Sequence, residues 1–404
     1  MAGMQPRCVV HLKRDREKPV RHGHPWIFSG AIERWEGAPS GAGAVDVVDA
    51  GGHWLARGLG HPDCNLAVRV FTRDAGQPMD EFLLARRLDA ALELRAQQFG
   101  PVGLDGDTNA YRLVFAEADG LSGLIIDRYA DMFSVRVSAA GLVPFLPALL
   151  AHLNARTGIA RWHVAAEREA VEREGVDPEA VAALSRGVTG PVRILERGFQ
   201  YEVDLAGGQK TGFYVDQREN RVRTAAYARG RSVLSAYCYT GSFELHAAAA
   251  GALHITGLDA SADALVRARA HHALNGLTVP LDYLEADVPV ALRRFRDANR
   301  KFDMIILDPP RFVSHAAQKE KGMRAYKDIN MMALKLLAPE GILATFSCAG
   351  LVTPDDLRLS VSWAAIDAQR EVQVLETLGQ PADHPILLAF PESAYLHGLI
   401  ARVL

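Results

Sequence analysis

From Val192 to Leu404, short β-branched runs alternate with amphipathic stretches, and this alternation restricts the fold more than any other feature of the chain. Strands are read at Val192–Glu196, Phe199–Leu205, Ser232–Ser235, His254–Asp259, Leu281–Ala286, Phe302–Asp308 and Gly341–Ser347. Helices are read at Glu219–Ala228, Ser242–Ala250, Ala262–Asn275, Val288–Ala298 and Lys327–Leu337. Strand, helix, strand, repeated, requires an α/β architecture with a doubly wound, mostly parallel sheet. The last strands, Glu371–Leu375, Ile386–Phe390 and Tyr395–Val403, are expected to put an antiparallel pair at one edge.

At 404 residues and about 150 per domain, there is room for two further blocks ahead of this one. Residues 1–75 show short strands at Cys8–Leu12, Ala44–Val48, His53–Gly58 and Leu66–Thr72, separated by Gly, Pro and Asp. That pattern suits a small barrel or sandwich. Residues 76–189 read as α+β: a helix over Asp80–Phe99, strands at Tyr111–Phe115, Gly123–Asp127, Met132–Val137 and Arg161–Ala165, a helix over Leu142–Leu153, and a charged, solvated stretch at Arg168–Asp177. The expected domains are therefore 1–75, 76–189 and 190–404. A composition of 49% hydrophobic and 23% charged residues excludes a disordered chain, a collagen and a coiled-coil rod. No apolar run reaches about 18 residues, so no membrane span is expected. The N-terminus turns charged where a signal peptide needs apolar residues, so a cytoplasmic location is expected. Four cysteines, Cys8, Cys64, Cys238 and Cys348, are too few and too scattered for a disulfide framework or a metal site.

Ligands of open α/β sheets bind beyond the carboxyl ends of the strands. The first strand ends in SAYCYTG, where Gly241 permits close backbone approach and the next helix offers free N–H groups. The second ends in Asp259, which can accept both hydroxyls of a ribose or simply cap the following helix. The third ends near Asp287, suited to an adenine amino group. In order on consecutive strands, these residues favour a nucleoside-containing cofactor. The GxGxxG fingerprint is absent, which counts against a nicotinamide oxidoreductase. The fourth strand ends in Asp308-Pro309-Pro310-Arg311-Phe312, where the prolines keep the chain extended and hold an acceptor at the sheet edge. The fifth ends in Ser347-Cys348-Ala349. A lone cysteine is usually a small buried hydrophobe, but one at the end of a central strand beside Asp308 is a candidate nucleophile. Cys238 competes for that role, though its loop suits cofactor contact better.

The net charge, 45 minus 48 or −3, shows no global pull toward a polyanion. Locally the picture differs. Residues 1–30 hold six cations against Asp15 and Glu17, and Arg311–Lys327 holds five against Glu320, a net +4 in each. A solvated loop explains the second cluster as well as phosphate contact does. Gly207–Asn220 combines glycines, Lys210, aromatics and polar groups, as a cleft wall would.

Taken in order, GGQKTGFYVDQREN, YTGSF, LDASADAL, LDPPRF, YKDIN and FSCAG resemble the large-subunit (23S) ribosomal RNA cytosine-5 methyltransferase I family. GHPWIFSGAI resembles the opening of that family's PUA domain, and DHPILLAFPESAYLHGL extends the likeness toward the C-terminus. The resemblance implies an N-terminal PUA β-barrel that binds RNA, a central α+β domain and a C-terminal Rossmann-like class I methyltransferase sheet. It implies S-adenosyl-L-methionine as cofactor, held by Phe213, Asp216, Gln217, Tyr237, Tyr239, Thr240, Gly241, Asp259, Asp287, Asp308 and Pro309. Ser235, Ser242 and Ala349 depart from the family's usual Asn, Gly and Ser. Ser242 can still cap a helix, while Ala349 removes a hydroxyl beside the thiol.

The resemblance further implies Cys348 as nucleophile toward C6 of cytosine and Asp308 as partner of the N3/N4 edge, forming 5-methylcytosine through a covalent adduct. Tyr214 and Phe312 are candidates to stack on the flipped base. The expected partner is large-subunit rRNA, contacted by Lys13, Arg14, Arg21, Lys210, Arg311, Lys319, Lys321, Arg324 and Lys327; a homodimer stays open, and no membrane partner is expected. Two other readings stand beside this one: an RNA N-methyltransferase that uses Asp-Pro-Pro without a thiol, and a non-catalytic RNA-binding or ribosome-assembly protein.

Overall fold

The alternation after Val192 becomes a seven-stranded sheet in the computed structural model, which describes residues 8–37, 41–104, 106–205 and 212–404. The chain forms two compact units: Met1–Leu195 with Val203–Val215 and Ala382–Ser393, and Glu196–Glu202 with Asp216–Pro381 and Ala394–Leu404.

The first unit opens with a six-stranded sheet of β1 (Cys8–Leu12), β2 (Trp26–Phe28), β3 (Ile32–Glu36), β4 (Gly43–Val48), β5 (Trp54–Gly60) and β6 (Leu66–Thr72), in the order β2-β6-β5-β4-β1-β3. A short helix, α1 (Lys18–Arg21), follows β1. Two of these strands, β2 and β3, were not expected; they are short, and Gly and charged residues interrupt their apolar pattern. After α2 (Glu81–Phe99) come β7 (Ala110–Phe115), β8 (Leu124–Tyr129), β9 (Met132–Val137), α3 (Leu146–Thr157) and β10 (Trp162–Ala166), the four strands forming a second sheet in the order β10-β9-β8-β7. Alternate buried residues of these strands and the apolar faces of α2 and α3 make one core.

The stretch read as solvated, Arg168–Asp177, is largely helix α4 (Arg168–Glu174), followed by α5 (Pro178–Ala182), and its Arg168, Glu169, Glu172 and Arg173 are exposed as expected. Ala170 is fully buried there, and the Glu174 carboxylate accepts from Ala140 N at 2.6 Å, so this segment packs on its unit. The strand read at Ile386–Phe390 is also absent. Pro385 and Pro391 bracket it, Phe390 N turns back to Leu387 O, and the Phe390 ring packs edge-on against Trp26 at 4.5 Å. Its apolar character serves packing rather than a ladder.

A two-stranded ribbon follows, β11 (Val192–Glu196) and β12 (Phe199–Val203), and the chain runs in the second unit from Asp216 to Pro381. The second unit then follows the expected alternation: α6 (Arg218–Ala225), β13 (Ser232–Ala236), α7 (Ser242–Ala249), β14 (His254–Asp259), α8 (Ala262–Leu274), β15 (Leu281–Glu285), α9 (Val288–Asp297), β16 (Phe302–Leu307), α10 (Lys319–Leu336), β17 (Leu337–Ser347), α11 (Pro354–Ala368), β18 (Val372–Gly379) and β19 (His397–Val403). Strand order is β15-β14-β13-β16-β17-β19-β18, parallel from β15 to β17. The expected antiparallel edge pair is β18 with β19, and β19 also runs antiparallel to β17. Order reverses at β13, whose neighbours are β14 and β16, so the crevice for a ligand opens above its carboxyl end. Among the described residues, no helix is long and apolar enough to cross a membrane.

Helix α7 carries Glu244 with its side chain wholly buried. Burial pushes its carboxyl up to about 7 from the ordinary 4.5, against the pull of hydrogen bonding and of the Arg221 guanidinium. Between those two pH values the folded chain holds a proton that the unfolded chain has released, so stability falls as pH rises through this window. Glu244→Gln is therefore expected to exceed the parent in urea-denaturation stability by roughly 3 kcal/mol at pH 8, with the difference vanishing near pH 4. An equal response of both proteins at the two pH values would contradict this.

Candidate active site

The loop after β13 is held in a shape that most residues avoid. Tyr237 and Tyr239 sit at φ +64° and +48°, and Gly241 at +81°. Each non-glycine residue there costs about 1–3 kcal/mol, which the surrounding contacts must offset. Those contacts are specific: Cys238 N donates to Leu258 O at 3.0 Å, Tyr239 N to Asp259 Oδ2 at 2.9 Å, and Gly241 N to Cys238 O at 2.9 Å. A methyl on Gly241 would stand 2.5 Å from Tyr283 Oη and 2.9 Å from Ala268 Cβ. The close approach that makes glycine necessary is thus to β15 and α8 as well as to any ligand.

Asp259 ends β14, and its Oδ1 accepts from Ser261 N at 2.9 Å. It does not cap α8, because Ser261 does so through its own hydroxyl. Asp287 is the N-cap of α9, its Oδ1 accepting from Val290 N at 3.0 Å, and it is exposed. Asp216 accepts from Tyr395 Oη at 2.6 Å through Oδ2. Its Oδ1 and the Thr240 Oγ1 are buried with no hydrogen-bond partner among the described residues. Loops that complete their hydrogen bonds with a ligand leave such atoms. The strained turn, the acid on the adjacent strand and these unmatched polar atoms fit a nucleoside cofactor. Phe213 lies in the first unit, 3% exposed, where its carbonyl accepts from Tyr129 Oη. Lys210, Gly207 and Gly208 lie outside the described residues.

The next two strands end in the candidate catalytic residues. Parallel pairing of β16 with β17 sets Leu307 opposite Thr345, so Asp308 and Cys348 leave the sheet at neighbouring strand ends. Asp308 N donates to Ala236 O at 3.3 Å, and its Oδ1 accepts from Gln217 Nε2 at 2.9 Å. Pro309 is buried, and its carbonyl lies 4.0 Å from the Cys348 sulfur, which donates to it. Tyr326 of α10 is wholly buried between the two loops: its Oη accepts from Ser347 Oγ at 2.9 Å, and its ring lies 4.9 Å from that of Phe312. Burial raises its hydroxyl pKa above the ordinary value, and the neighbouring Cys348 and Asp308 add to this. Sequence reasoning gave Tyr326, Ser347 and Asn220 no role. The available signal was helical spacing, which places Tyr326 on the same face of α10 as the buried Ile329 and Ala333.

The basic segment after Asp308 differs from its expected form. It is a loop only to His315, after which a 3-10 turn (Ala316–Gln318) leads into α10, which begins at Lys319 and not at Lys327. Acids of α11 neutralise two of its cations: Lys319 pairs with Asp356 at 2.7 Å and Lys327 with Asp367 at 2.6 Å, while Arg324 pairs with Glu320. Arg311 and Lys321 are exposed. In the first unit Lys13 and Arg14 are exposed, with Lys13 Nζ donating to Gly30 O at 3.1 Å. Arg21 pairs with Asp49 at 2.7 Å. Among the described residues, no three His, Cys, Asp or Glu side chains group as a metal site.

Of the four cysteines, only Cys348 is partly exposed. Burial pushes the Cys238 thiol well above its ordinary value, with Glu244 and Asp259 adding to the effect. Burial also raises Cys8 and Cys64. The thiolate is the reactive form. Brief alkylation of the folded chain with iodoacetamide at pH 7.5 is expected to mark Cys348 at least tenfold faster than Cys238, read by peptide mass spectrometry. Faster marking of Cys238 would reverse the assignment.

Known proteins resemble this chain over most of its length. The profile of the S-adenosylmethionine-dependent methyltransferase family matches residues 121–397, and that of the PUA-like domain matches residues 10–73. A solved chain from Streptococcus mutans, described as a candidate S-adenosylmethionine-dependent methyltransferase, superposes with a TM-score of 0.83 at 19% identity, over 98% of this chain and 100% of that one. The chain is 43% identical over 398 residues to the ribosomal RNA large subunit methyltransferase I of Shewanella denitrificans, covering 98% of this chain and 99% of the relative. It is 40% identical over 410 residues to the protein of that name from Tolumonas auensis, with the same coverage. The α/β methyltransferase fold, the PUA-like N-terminal domain and the S-adenosylmethionine cofactor all follow, and the chain belongs to the ribosomal RNA large subunit methyltransferase I family of S-adenosylmethionine-dependent methyltransferases.

Proposed function

We propose that this chain forms 5-methylcytosine in large-subunit ribosomal RNA, with the Cys348 thiolate adding to C6 of the target base. The observation that carries the reading is the partly exposed Cys348 sulfur at the end of β17, beside the Asp308 loop at the end of β16. The RNA substrate is read from the relatives, whose name states it.

Cytosine C5 is a weak nucleophile. Formation of the Cys348 S–C6 bond pushes the C5–C6 electron pair toward C5 and makes that carbon enamine-like. Asp308 shares a proton with the N3/N4 edge and so takes up the charge that develops on the ring. S-adenosylmethionine, when bound, supplies a methyl group on a sulfonium. Transfer of the C5 proton to a base then lets the C5–H pair restore the C5–C6 double bond as Cys348 leaves with the S–C6 pair. The proposed cofactor residues within the second unit are Asp216, Gln217, Tyr237, Tyr239, Thr240, Gly241, Asp259, Asp287, Asp308 and Pro309. Phe213 is retained in the proposal from the family resemblance alone. The target base must leave its stack to reach a side chain at a strand end, and Phe312 is the proposed stacking surface.

We further propose that the first unit comprises two domains joined near residue 75, a PUA-like RNA-binding domain and a central α+β domain. The separate six- and four-stranded sheets support this division. Lys13, Arg14 and Arg21 would contact phosphates from the first domain. In the methyltransferase domain, which starts near residue 190, Arg311 and Lys321 are the main candidates; Lys319, Arg324 and Lys327 could join by giving up ion pairs that are weak where exposed.

Nucleoside mass spectrometry of rRNA methylated by the purified chain tests the reading. The expected product is 5-methylcytidine, and Cys348→Ala is expected to lower its formation by about 10³-fold or more. An N-methylated nucleoside formed undiminished by Cys348→Ala would establish the thiol-independent reaction instead, and no product on naked or assembled rRNA would leave a binding protein.

A further inference from the structure

Cys348 is partly exposed, but the residues on either side of it are closed to solvent, Ser347 and Ala349 both at 0%. Ser347 is the last residue of β17 in the ladder, opposite His397 of β19. Its buried hydroxyl is satisfied within the fold: Oγ accepts from Ala349 N at 3.4 Å and donates to Tyr326 Oη at 2.9 Å. The first bond spans Cys348 and joins its two neighbours. The second ties that short loop to the middle of α10. On the far side, Val352 N donates to Ala349 O at 2.8 Å and closes the turn.

Tyr326 is held as firmly. Its side chain is wholly buried, its ring lies 4.9 Å from that of Phe312 in the loop after Asp308, and its carbonyl accepts from Asn330 Nδ2 at 2.8 Å. The packing alone asks only for a ring, and phenylalanine would fill the space without burying an oxygen. What the oxygen adds is the bond to Ser347. Burial raises the hydroxyl pKa above its ordinary value, hydrogen bonding to Ser347 and to the Phe312 backbone opposes the rise, and Cys348 and Asp308 add to it. The phenol therefore stays neutral at ordinary assay pH, which separates it from the base that takes the C5 proton.

We propose that Tyr326 and Ser347 are positioning residues that fix the direction in which the Cys348 sulfur leaves the sheet, through the bonds from Ala349 N to Ser347 Oγ and from Ser347 Oγ to Tyr326 Oη. This role rests on the reading of Cys348 as the nucleophile. Addition at C6 needs the sulfur about 3–3.5 Å from one carbon and aligned with its π orbital. Cys348 lies beyond the last pair of the ladder, so the sheet alone does not set that direction. The hydroxyl pair carries the constraint past the end of β17, and the contact with Phe312 refers it to the Asp308 loop.

The test uses the full chain with S-adenosylmethionine and rRNA, and four proteins: parent, Tyr326→Phe, Ser347→Ala and the double variant. Each single substitution is expected to lower kcat by about 10- to 100-fold, as a small misplacement of a reacting group does. KM for rRNA, and S-adenosylmethionine affinity measured calorimetrically without RNA, should stay within about threefold of the parent's. Because the two side chains act through one bond, the double variant should lose clearly less than the product of the single losses.

Two further readouts separate aiming from other roles. Iodoacetamide is small and approaches from any side, so it should mark Cys348 at a similar rate in all four proteins. Alkylation slowed by about tenfold in the variants would mean that the pair activates the thiol instead of aiming it. The pH–rate profile of Tyr326→Phe should keep the parent's shape, and a lost limb would make Tyr326 an acid–base group. Parent-like kcat in both single variants, multiplicative losses, or a loss of cofactor affinity as large as the loss of rate would each overturn the proposal. If Ser347→Ala does not fold, Tyr326→Phe decides alone, since it keeps the ring and its packing. Product analysis distinguishes the two levels of failure. A parent product other than 5-methylcytidine, or full activity in Cys348→Ala, sinks the nucleophile reading; 5-methylcytidine formed at the parent's rate by Tyr326→Phe sinks only the positioning role.

Discussion

Strands β16 and β17 run parallel, with Ile305, Ile306 and Leu307 paired to Leu343, Ala344 and Thr345, all buried. The proposed chemistry depends on that ladder. It brings two residues 40 positions apart, Asp308 and Cys348, out of the same edge of the sheet. A parallel pair requires a crossover, and here the crossover is the loop after Asp308 followed by α10. The crossover helix supplies Tyr326, which takes a hydrogen bond from Ser347 and packs against Phe312. The segment that the topology demands therefore also braces the two loops against each other.

The same fold gives the two candidate thiols different exposure. Cys238 lies within the loop that follows β13, its side chain packed in a cluster with Leu265, Ala268 and Tyr283, and an adjacent buried carboxyl at Glu244 makes its ionisation harder still. Cys348 lies beyond the last paired residue of β17, where the sheet opens. Chemical identity is equal at the two positions; desolvation distinguishes them. Beneath the loop, Glu244 carries the opposite consequence of burial, a carboxyl that keeps its proton to about pH 7.

Much of this was legible in the sequence because strand ends announce themselves. FDMIILD and GILATFS are apolar runs that stop at a polar residue, which makes Asp308 and Cys348 candidates, while the preference for Cys348 over Cys238 as nucleophile comes from the family resemblance. What escaped reading depends on partners distant in sequence. The Gln217–Asp308 bond joins residues 91 apart, and no local pattern announces it. The +4 charge of Arg311–Lys327 was counted in a window that excluded Asp356 and Asp367, which neutralise part of it from α11. Ile386–Phe390 looked like a strand because its residues are apolar, yet flanking prolines leave no ladder to join, and the apolar surface goes to Trp26. Asp259 reads from the sequence as either a ribose acceptor or a helix cap; Ser261, two residues on, caps α8 and leaves the carboxylate to the Tyr239 loop.

The central claim is that a bond forms between Cys348 and C6 of a cytosine. It is tested most directly with an rRNA fragment carrying 5-fluorocytidine, incubated with the chain and S-adenosylmethionine. Fluorine at C5 cannot be removed as a proton is, so the S–C6 bond, once formed and methylated at C5, cannot be released by the ordinary route. The account predicts a cofactor-dependent protein–RNA conjugate that survives denaturation and maps by peptide mass spectrometry to Cys348. A conjugate at Cys238, or none from a preparation that converts ordinary cytidine to 5-methylcytidine, would contradict it.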